Sequence, residues 1–389
     1  MTDVSHTPTL LDLRAEPSSS NEGQRAAAIQ HGSPLVSNSN LLHRSFAQRP
    51  EKAISASGVS IFLESGRDVL DASVGPAVSC LGFGRPEITK VVANQMNQLS
   101  CLYSGSRFTC DAMEDLASML LEGHPGGLSK AIFVNSGSEA IDAAIKLATQ
   151  YWHERGMPQK HHFIVRKQKY HGNTIGSLCV SGHDSRRAMY RHWLSHNLEA
   201  GILRVGPKDV AAFVAASVAE TVSGTTLGCI PAVHGYLKAI RQICDKYDNL
   251  LILDEIMCGM GKTDTMHAWE QEDISGPDIH MIGKTLGGGF VPLSDVLLRD
   301  KIFDAQSTYR PLGRLNITLS FGTLYAKPEI MRREGLDLHL RNKIQPADHV
   351  SINDDLPQGI GTLCTPYHRW ESIRVIHVTV DDMYKRAMA

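Results

Sequence analysis

The sequence has no long apolar run, no dominant charge and no paired-cysteine motif, and each absence removes a class of function. No stretch approaches the ~18–20 apolar residues that a membrane-crossing helix needs. Lys and Arg (39) nearly balance Asp and Glu (41), for a formal net charge of −2. No global field therefore draws the chain to nucleic acid or to an anionic membrane surface. The eight cysteines (Cys80, Cys101, Cys110, Cys179, Cys229, Cys244, Cys258 and Cys364) show no Cys-x-x-Cys spacing and are sparse for 389 residues. They read as reduced, mostly buried thiols of an intracellular protein. The 18 histidines are scattered and form no His-Glu-x-x-His motif, so no metal site is expected.

Residues 1–40 are rich in Ser, Thr and Pro and lack the cationic start and apolar stretch of a secretory signal. Asp3, Asp12, Glu16 and Glu22 stand among Arg14 and Arg25, against a mitochondrial presequence. The segment is expected to be a disordered N-terminal arm, and the protein to be cytoplasmic. Hydrophobic residues make up 42% and charged residues 21%, an ordinary globular composition. The length suits one large domain with one or two smaller ones.

What is present is an alternation. Residues 61–65 (IFLES) and the following GRDVLDA read as a hairpin turning at Gly66 and Arg67. Residues 86–99 read as a helix opened by Pro86. From Lys130 to Asp300 short apolar runs (131–134, 162–165, 211–220, 250–253, 278–283, 296–300) alternate with helical periodicity. One helix carries Ile141, Ala144, Ile145, Ala148 and Trp152 on one face; another, 236–248, carries Leu237, Ile240, Cys244 and Tyr247. Strands apolar throughout, separated by amphipathic helices, predict an α/β fold with a mainly parallel sheet flanked by helices. Ligands of such sheets bind at the carboxyl ends of the strands.

Each strand end carries chemistry. After 131–134, Asn135-Ser136-Gly137-Ser138-Glu139 is a small-residue turn opening a helix, suited to a phosphate or simply to a cap. After 162–165 comes Tyr170-His171-Gly172, where an aromatic can stack on a flat ring or merely pack. After 250–253 comes Asp254-Glu255. A carboxylate there needs a partner: a metal, a protonated ring nitrogen, or a cap or structural salt bridge. After 278–283 comes Lys284, followed by Thr285-Leu286-Gly287-Gly288-Gly289. Burial would lower its amine pKa and free the lone pair for attack on an aldehyde. Gly283-Lys284-Thr285 and Gly261-Lys262-Thr263 imitate the end of a P-loop. The glycine that motif needs five residues earlier is replaced by Asp278 and Ile256, so neither qualifies.

In this order, with Asp254 and Lys284 thirty residues apart, the blocks resemble the signature of class III (ω-) aminotransferases. FVNSGSEAIDAAIKLA, KYHGNTIGS and LLILDEIMCGMGKTDTMHAWE…PDIHMIGKTLGGGFVPLSDVLL carry the resemblance, which runs from about Ser45 to Val296. It implies a PLP-dependent transferase of fold type I, with a smaller α+β domain. The implied organisation is an arm at 1–40, an N-terminal segment of the small domain at 41–105, a large cofactor domain at 106–328 and a C-terminal small domain at 329–389. The cofactor implied is pyridoxal 5′-phosphate (PLP). Lys284 would form its Schiff base and act as base for the 1,3-proton shift. Asp254 would pair with the pyridine nitrogen, making the ring an electron sink. Ile256 and Tyr170 would cover its two faces. Ser136, Gly137 and Ser138 would hold the phosphate, and His171 and Gly172 would line the pocket. Glu220, in Ala-Glu-Thr where the family has Ala-Glu-Pro, would lie near the ring hydroxyl and substrate. The partners implied are a small-molecule amino donor, a carbonyl acceptor and a second copy of the chain, with no nucleic acid and no membrane.

Three departures stand out. Gly259-Met260-Gly261-Lys262-Thr263 replaces Gly-Phe-Gly-Arg-Thr, which predicts an altered pocket wall. Thr323 matches the threonine that reaches a neighbouring subunit's phosphate only with a one-residue shift. Beyond Pro328 only 61 residues remain to position 389. They match the family poorly, so a shortened or divergent C-terminal domain is expected, with Arg369 and Arg374 as candidates for a substrate carboxylate. The same residues would also serve a racemase, a decarboxylase, an α-oxoamine synthase or a catalytically impaired PLP-binding homologue.

Overall fold

The computed structural model describes residues 40–43, 50–102, 107–194, 211–212 and 214–309. Residues 1–39 of the expected arm, the expected C-terminal domain 329–389, and Thr323, Arg369 and Arg374 lie outside the described residues. Two compact units make up the chain: Met1–Ser55 with Ile61–Val69, and Ala56–Ser60 with Leu70–Ala389.

Strands β1 (Ala53–Ser57), β2 (Ser60–Leu63) and β3 (Asp68–Leu70) form a three-stranded sheet in sequence order. The expected hairpin is present. Gly66 takes φ +84° at its turn and donates to the Leu63 carbonyl at 3.0 Å, a conformation that glycine reaches without a Cβ clash.

The larger unit contains α1 (Pro86–Gln98), α2 (Asp111–Leu120), β4 (Leu128–Val134), α3 (Gly137–Glu154), β5 (His162–Val165), α4 (Ile175–Cys179) and β6 (Val214–Ala219). It continues through α5 (Tyr236–Lys246), β7 (Leu250–Asp254), β8 (Ile279–Ile282), β9 (Ser294–Arg299) and α6 (Asp300–Tyr309). Its six-stranded sheet has the order β4-β9-β8-β7-β6-β5. Strands β5 to β8 are parallel neighbours, and β9 pairs antiparallel with both β4 and β8. One strand is thus reversed and the other five share a direction, which is the mainly parallel sheet that the apolar runs predict. Direction itself leaves no mark on periodicity, because a strand buried on both faces is apolar whichever way it runs.

Alternation along the strands divides the core into two layers. Leu250 and Ile252 of β7 join Ile132, Val134, Ala216, Val218, Ile279, Met281 and Val296 against the Ile141/Ala144/Ile145/Ala148/Trp152 face of α3. Leu251 and Leu253 join Phe133, Ala219, Ile282 and Leu297 against Leu116 and Leu120 of α2 and Leu237 and Cys244 of α5. Trp152 is wholly buried, and its Nε1 donates to the Ala215 carbonyl at 2.9 Å. Burying about 200 Å² of indole at about 25 cal/mol/Å² is worth roughly 5 kcal/mol before entropy is counted.

None of the cysteines among the described residues is in a disulfide, as expected. The expectation that they are mostly buried fails. Cys179, Cys244 and Cys258 are buried, whereas Cys80 and Cys110 are half-buried and Cys101 and Cys229 exposed. Among the described residues no helix is long and apolar enough to cross a membrane.

Candidate active site

Because β4 to β8 run one way, their carboxyl ends fall along one edge of the sheet. That edge receives the turn after β4, the loop after β5, Glu220 after β6, Asp254 at the end of β7 and Lys284 after β8.

The turn is rigid for a local reason. Asn135 and Ser136 amides donate to Glu139 Oε2 at 2.8 and 3.0 Å, and the Glu139 amide returns a bond to Ser136 Oγ at 3.3 Å. This is a capping box. The Ser136 hydroxyl, expected at a phosphate, is engaged in that cap. The amides of Gly137 and Ser138 belong to the first turn, to which the helix offers no partner, at the positive end of its dipole. Ser138 Oγ accepts from the Asn173 amide at 3.0 Å, tying the turn to the loop after β5. Ile256 fills the space beside the turn: a Cβ added at Gly137 would stand 2.7 Å from Ile256 Cδ1. Gly172 has φ +135°, and a Cβ there would stand 2.6 Å from Ser177 Oγ and 2.7 Å from Ser138 Oγ. Both glycines are therefore required by close approach.

Asp254 is buried and doubly held. Its Oδ2 meets His171 Nδ1 at 2.8 Å and its Oδ1 accepts from the Ile256 amide at 3.1 Å. His171 is fixed in turn through its amide, which donates to Ser181 Oγ at 2.9 Å. Its Nε2 is buried without a hydrogen-bond partner among the described residues. Tyr170 is half-buried, with the Arg186 guanidinium 4.7 Å from its ring centroid.

Lys284 is half-buried and takes φ +47°, a left-handed backbone that is uncommon for a side-chain-bearing residue. Such strain, of order 1–3 kcal/mol, persists where the surroundings over-determine it and gathers at functional sites. Burial depresses the Lys284 amine pKa, opposed by the charges of Asp254, Glu220 and Cys229. Its Nζ contacts Met257 Sδ, a weak acceptor that leaves the amine poorly solvated.

Glu220 is buried, with Oε1 accepting from the Gly224 amide at 3.2 Å and Oε2 facing Lys169 Nζ at 3.3 Å. Nothing in the sequence singles out Lys169. It precedes Tyr170 in a polar loop, where a lysine normally points to water, yet it is 2% exposed. Lys262, read as a softened arginine in the pocket wall, is a clamp. Its Nζ donates to the Met257 carbonyl at 2.8 Å and the Ala77 carbonyl at 3.1 Å, and burial lowers its pKa to about 8.

The structure also gathers histidines that read as scattered. His280 Nε2 lies 3.1 Å from His267 Nδ1 and 3.6 Å from Glu255 Oε2, all fully buried. Both Glu255 oxygens are already engaged, by the Ala268 and Trp269 amides at 2.8 Å each and by the Thr221 hydroxyl. Burial lowers the His267 pKa to about 4 and holds His280 well below its ordinary value. One ligand atom from each of Glu255, His267 and His280 lies within 4.8 Å of the other two, and His267 Nε2 and His280 Nδ1 are buried without a hydrogen-bond partner among the described residues.

The donor set fits PLP. An amide-lined helix start suits a phosphate, an ordered buried carboxylate suits a protonated ring nitrogen, and a desolvated strained lysine suits an aldehyde carbon. Ile256, wedged between Gly137 and Gly283, offers an apolar surface beside them.

A family model described as Aminotransferase class-III matches residues 47–314. An uncharacterized aminotransferase of Schizosaccharomyces pombe is 41% identical over 68% of this chain and 62% of its own length. An uncharacterized aminotransferase of Bacillus subtilis is 34% identical over 64% of this chain and 61% of its own. Among solved structures, the omega transaminase from Pseudomonas jessenii in complex with PMP superposes with a TM-score of 0.64 at 25% identity, covering 73% of this chain and 70% of that one. The chain spans about three-fifths of the length of these curated relatives.

Proposed function

The chain belongs to the class-III aminotransferase family, and from that premise we propose that it moves an amino group from an amino acid or amine donor to a keto acid, aldehyde or ketone, with PLP held at the strand-end edge. The observation that carries this reading is the conjunction of Asp254, which ends β7, and Lys284, just beyond the end of the parallel neighbour β8. One is a half-buried amine, partly desolvated, at a strained backbone position, the other a carboxylate locked by His171 and the Ile256 amide.

When bound, PLP supplies an aldehyde carbon and an electron-withdrawing ring. The chain supplies the rest. The Gly137 and Ser138 amides bind the phosphate, with Ser138 Oγ orienting the loop through Asn173. Asp254 holds a proton on the ring nitrogen, and His171 keeps that carboxylate aimed. Lys284 Nζ offers a lone pair and then carries protons, since burial holds its pKa below that of a free lysine. Ile256 excludes water from one side, and Tyr170 borders the other. Glu220 lies near the ring hydroxyl and the substrate. The family's shared site supports a homodimer, with Thr323 contributed across it.

The test is covalent. Full-length protein incubated with PLP, reduced with borohydride and digested should carry the pyridoxyl mass on Lys284, and a donor panel should yield keto products. Full transamination by Lys284→Ala would sink the reading.

A further inference from the structure

A second acid stands near Asp254, and its charge state needs an explanation. Glu220 is 4% exposed, and both its burial and the negative charge of Asp254 push its carboxyl towards protonation. His171 and Lys169 oppose this, as does Lys284, whose amine interacts with the Glu220 charge. Lys169 reaches Glu220 from the loop after β5, one residue before Tyr170 and two before His171. Its Nζ lies 3.3 Å from Oε2, and the two side chains are 3% and 5% exposed. Buried charges this close stand or fall together, since removing one leaves the other uncompensated. The other titratable neighbours of Lys169 are Arg166 and the Cys258 thiol, whose pKa burial holds well above its ordinary value.

We propose that Lys169 is a positioning residue of this site, which keeps Glu220 ionised and oriented so that the pair is neutral and Asp254 presents the negative charge to the cofactor. The inference rests on the cofactor reading above and adds a residue to it. The β4 turn and Asp254 handle the phosphate and the ring, whereas Lys169 sets the electrostatics through Glu220 without touching either.

The test uses full-length protein loaded with PLP and follows the visible absorbance of the bound cofactor against pH. The set comprises wild type, Lys169→Met, Lys169→Arg, Glu220→Gln and the Lys169→Met/Glu220→Gln double variant. Wild type should titrate in one transition. Lys169→Met should show a second transition as Glu220 takes up a proton, and PLP should bind at least several-fold more weakly. Lys169→Arg should keep one transition, and the double variant should lose the second. Lys169→Met titrating as wild type overturns the assignment, as does a second transition that survives Glu220→Gln. Should Lys169→Met fail to fold, two transitions in Lys169→Arg overturn it equally. Absence of any visible band in wild type instead brings down the cofactor reading, and this assignment with it.

Discussion

Asp295 sits in the middle of the sheet, and its replacement by asparagine should change how stability depends on pH. The residue lies in β9, paired across to Phe133 of β4 and Ile282 of β8, and is fully buried. Its Oδ1 accepts from the Ile132 amide at 3.0 Å, while Oδ2 has no hydrogen-bond partner among the described residues. Burial pushes its pKa from 3.8 up to about 7. The folded chain therefore holds a proton that the unfolded chain has released, so stability is fully present below pH 3.8 and is lost as pH rises through 7. About three units correspond to roughly 4 kcal/mol in all, of which roughly 2.5 kcal/mol falls between pH 5 and pH 8. An asparagine side chain would keep the acceptor for the Ile132 amide and cannot ionise. Relative to wild type, Asp295→Asn should gain roughly 2.5 kcal/mol over that interval, or about 5 °C in melting temperature. Glu255, whose pKa burial raises to about 7, titrates in the same window but is common to both proteins and cancels. Thermal melts of both proteins at pH 5, 6, 7 and 8 make the comparison. Parallel curves would refute the reasoning, because they would mean that Asp295 is ionised and compensated in the fold.

On the acid side the sign reverses: His267, lowered from 6.5 to about 4, withdraws stability as pH falls between those values, roughly 3 kcal/mol in all. His267→Phe, which keeps the stack on Trp269, should flatten that limb of the melting curve, and an unchanged limb would count against it. Gly172→Val meets two hydroxyls closer than 3 Å at φ +135°. It should lose several kcal/mol and most PLP retention, seen as a lowered melting temperature and release of cofactor on gel filtration.

The strand-end cluster of candidate residues is legible in the sequence because chemistry follows strands. Asp254 and Lys284 each end a fully apolar run, and a parallel sheet collects such ends along one edge. Ser136 carries a second readable signal. Ser136-x-x-Glu139 is a capping pattern, and the structure uses the hydroxyl for that cap. Lys169 has no such signal, since a lysine in a polar loop looks solvated until the loop folds back over β6. Asp295 lies just before the apolar run 296–300, and the place of β9 inside the sheet, between β4 and β8, buries it. His267 and His280 belong to different elements, so their 3.1 Å approach is a tertiary fact. Lys262 looks like a wall residue because its partners are backbone carbonyls, which leave no trace in composition.

The position of β9 has a consequence for how the chain reaches this state. Among the described residues β4 pairs only with β9, although residues 132 and 296, paired in register, are far apart along the chain. Closing such a loop carries an entropic cost before any contact repays it, and pairings of this separation slow folding. While a nascent chain ends before Ser294, β4 presents an apolar edge with nothing to cover it, the kind of edge that invites aggregation. The turn beyond β4 and the lysine beyond β8 are brought into register by that one late strand. An early stop in synthesis would forfeit both ends of the site together.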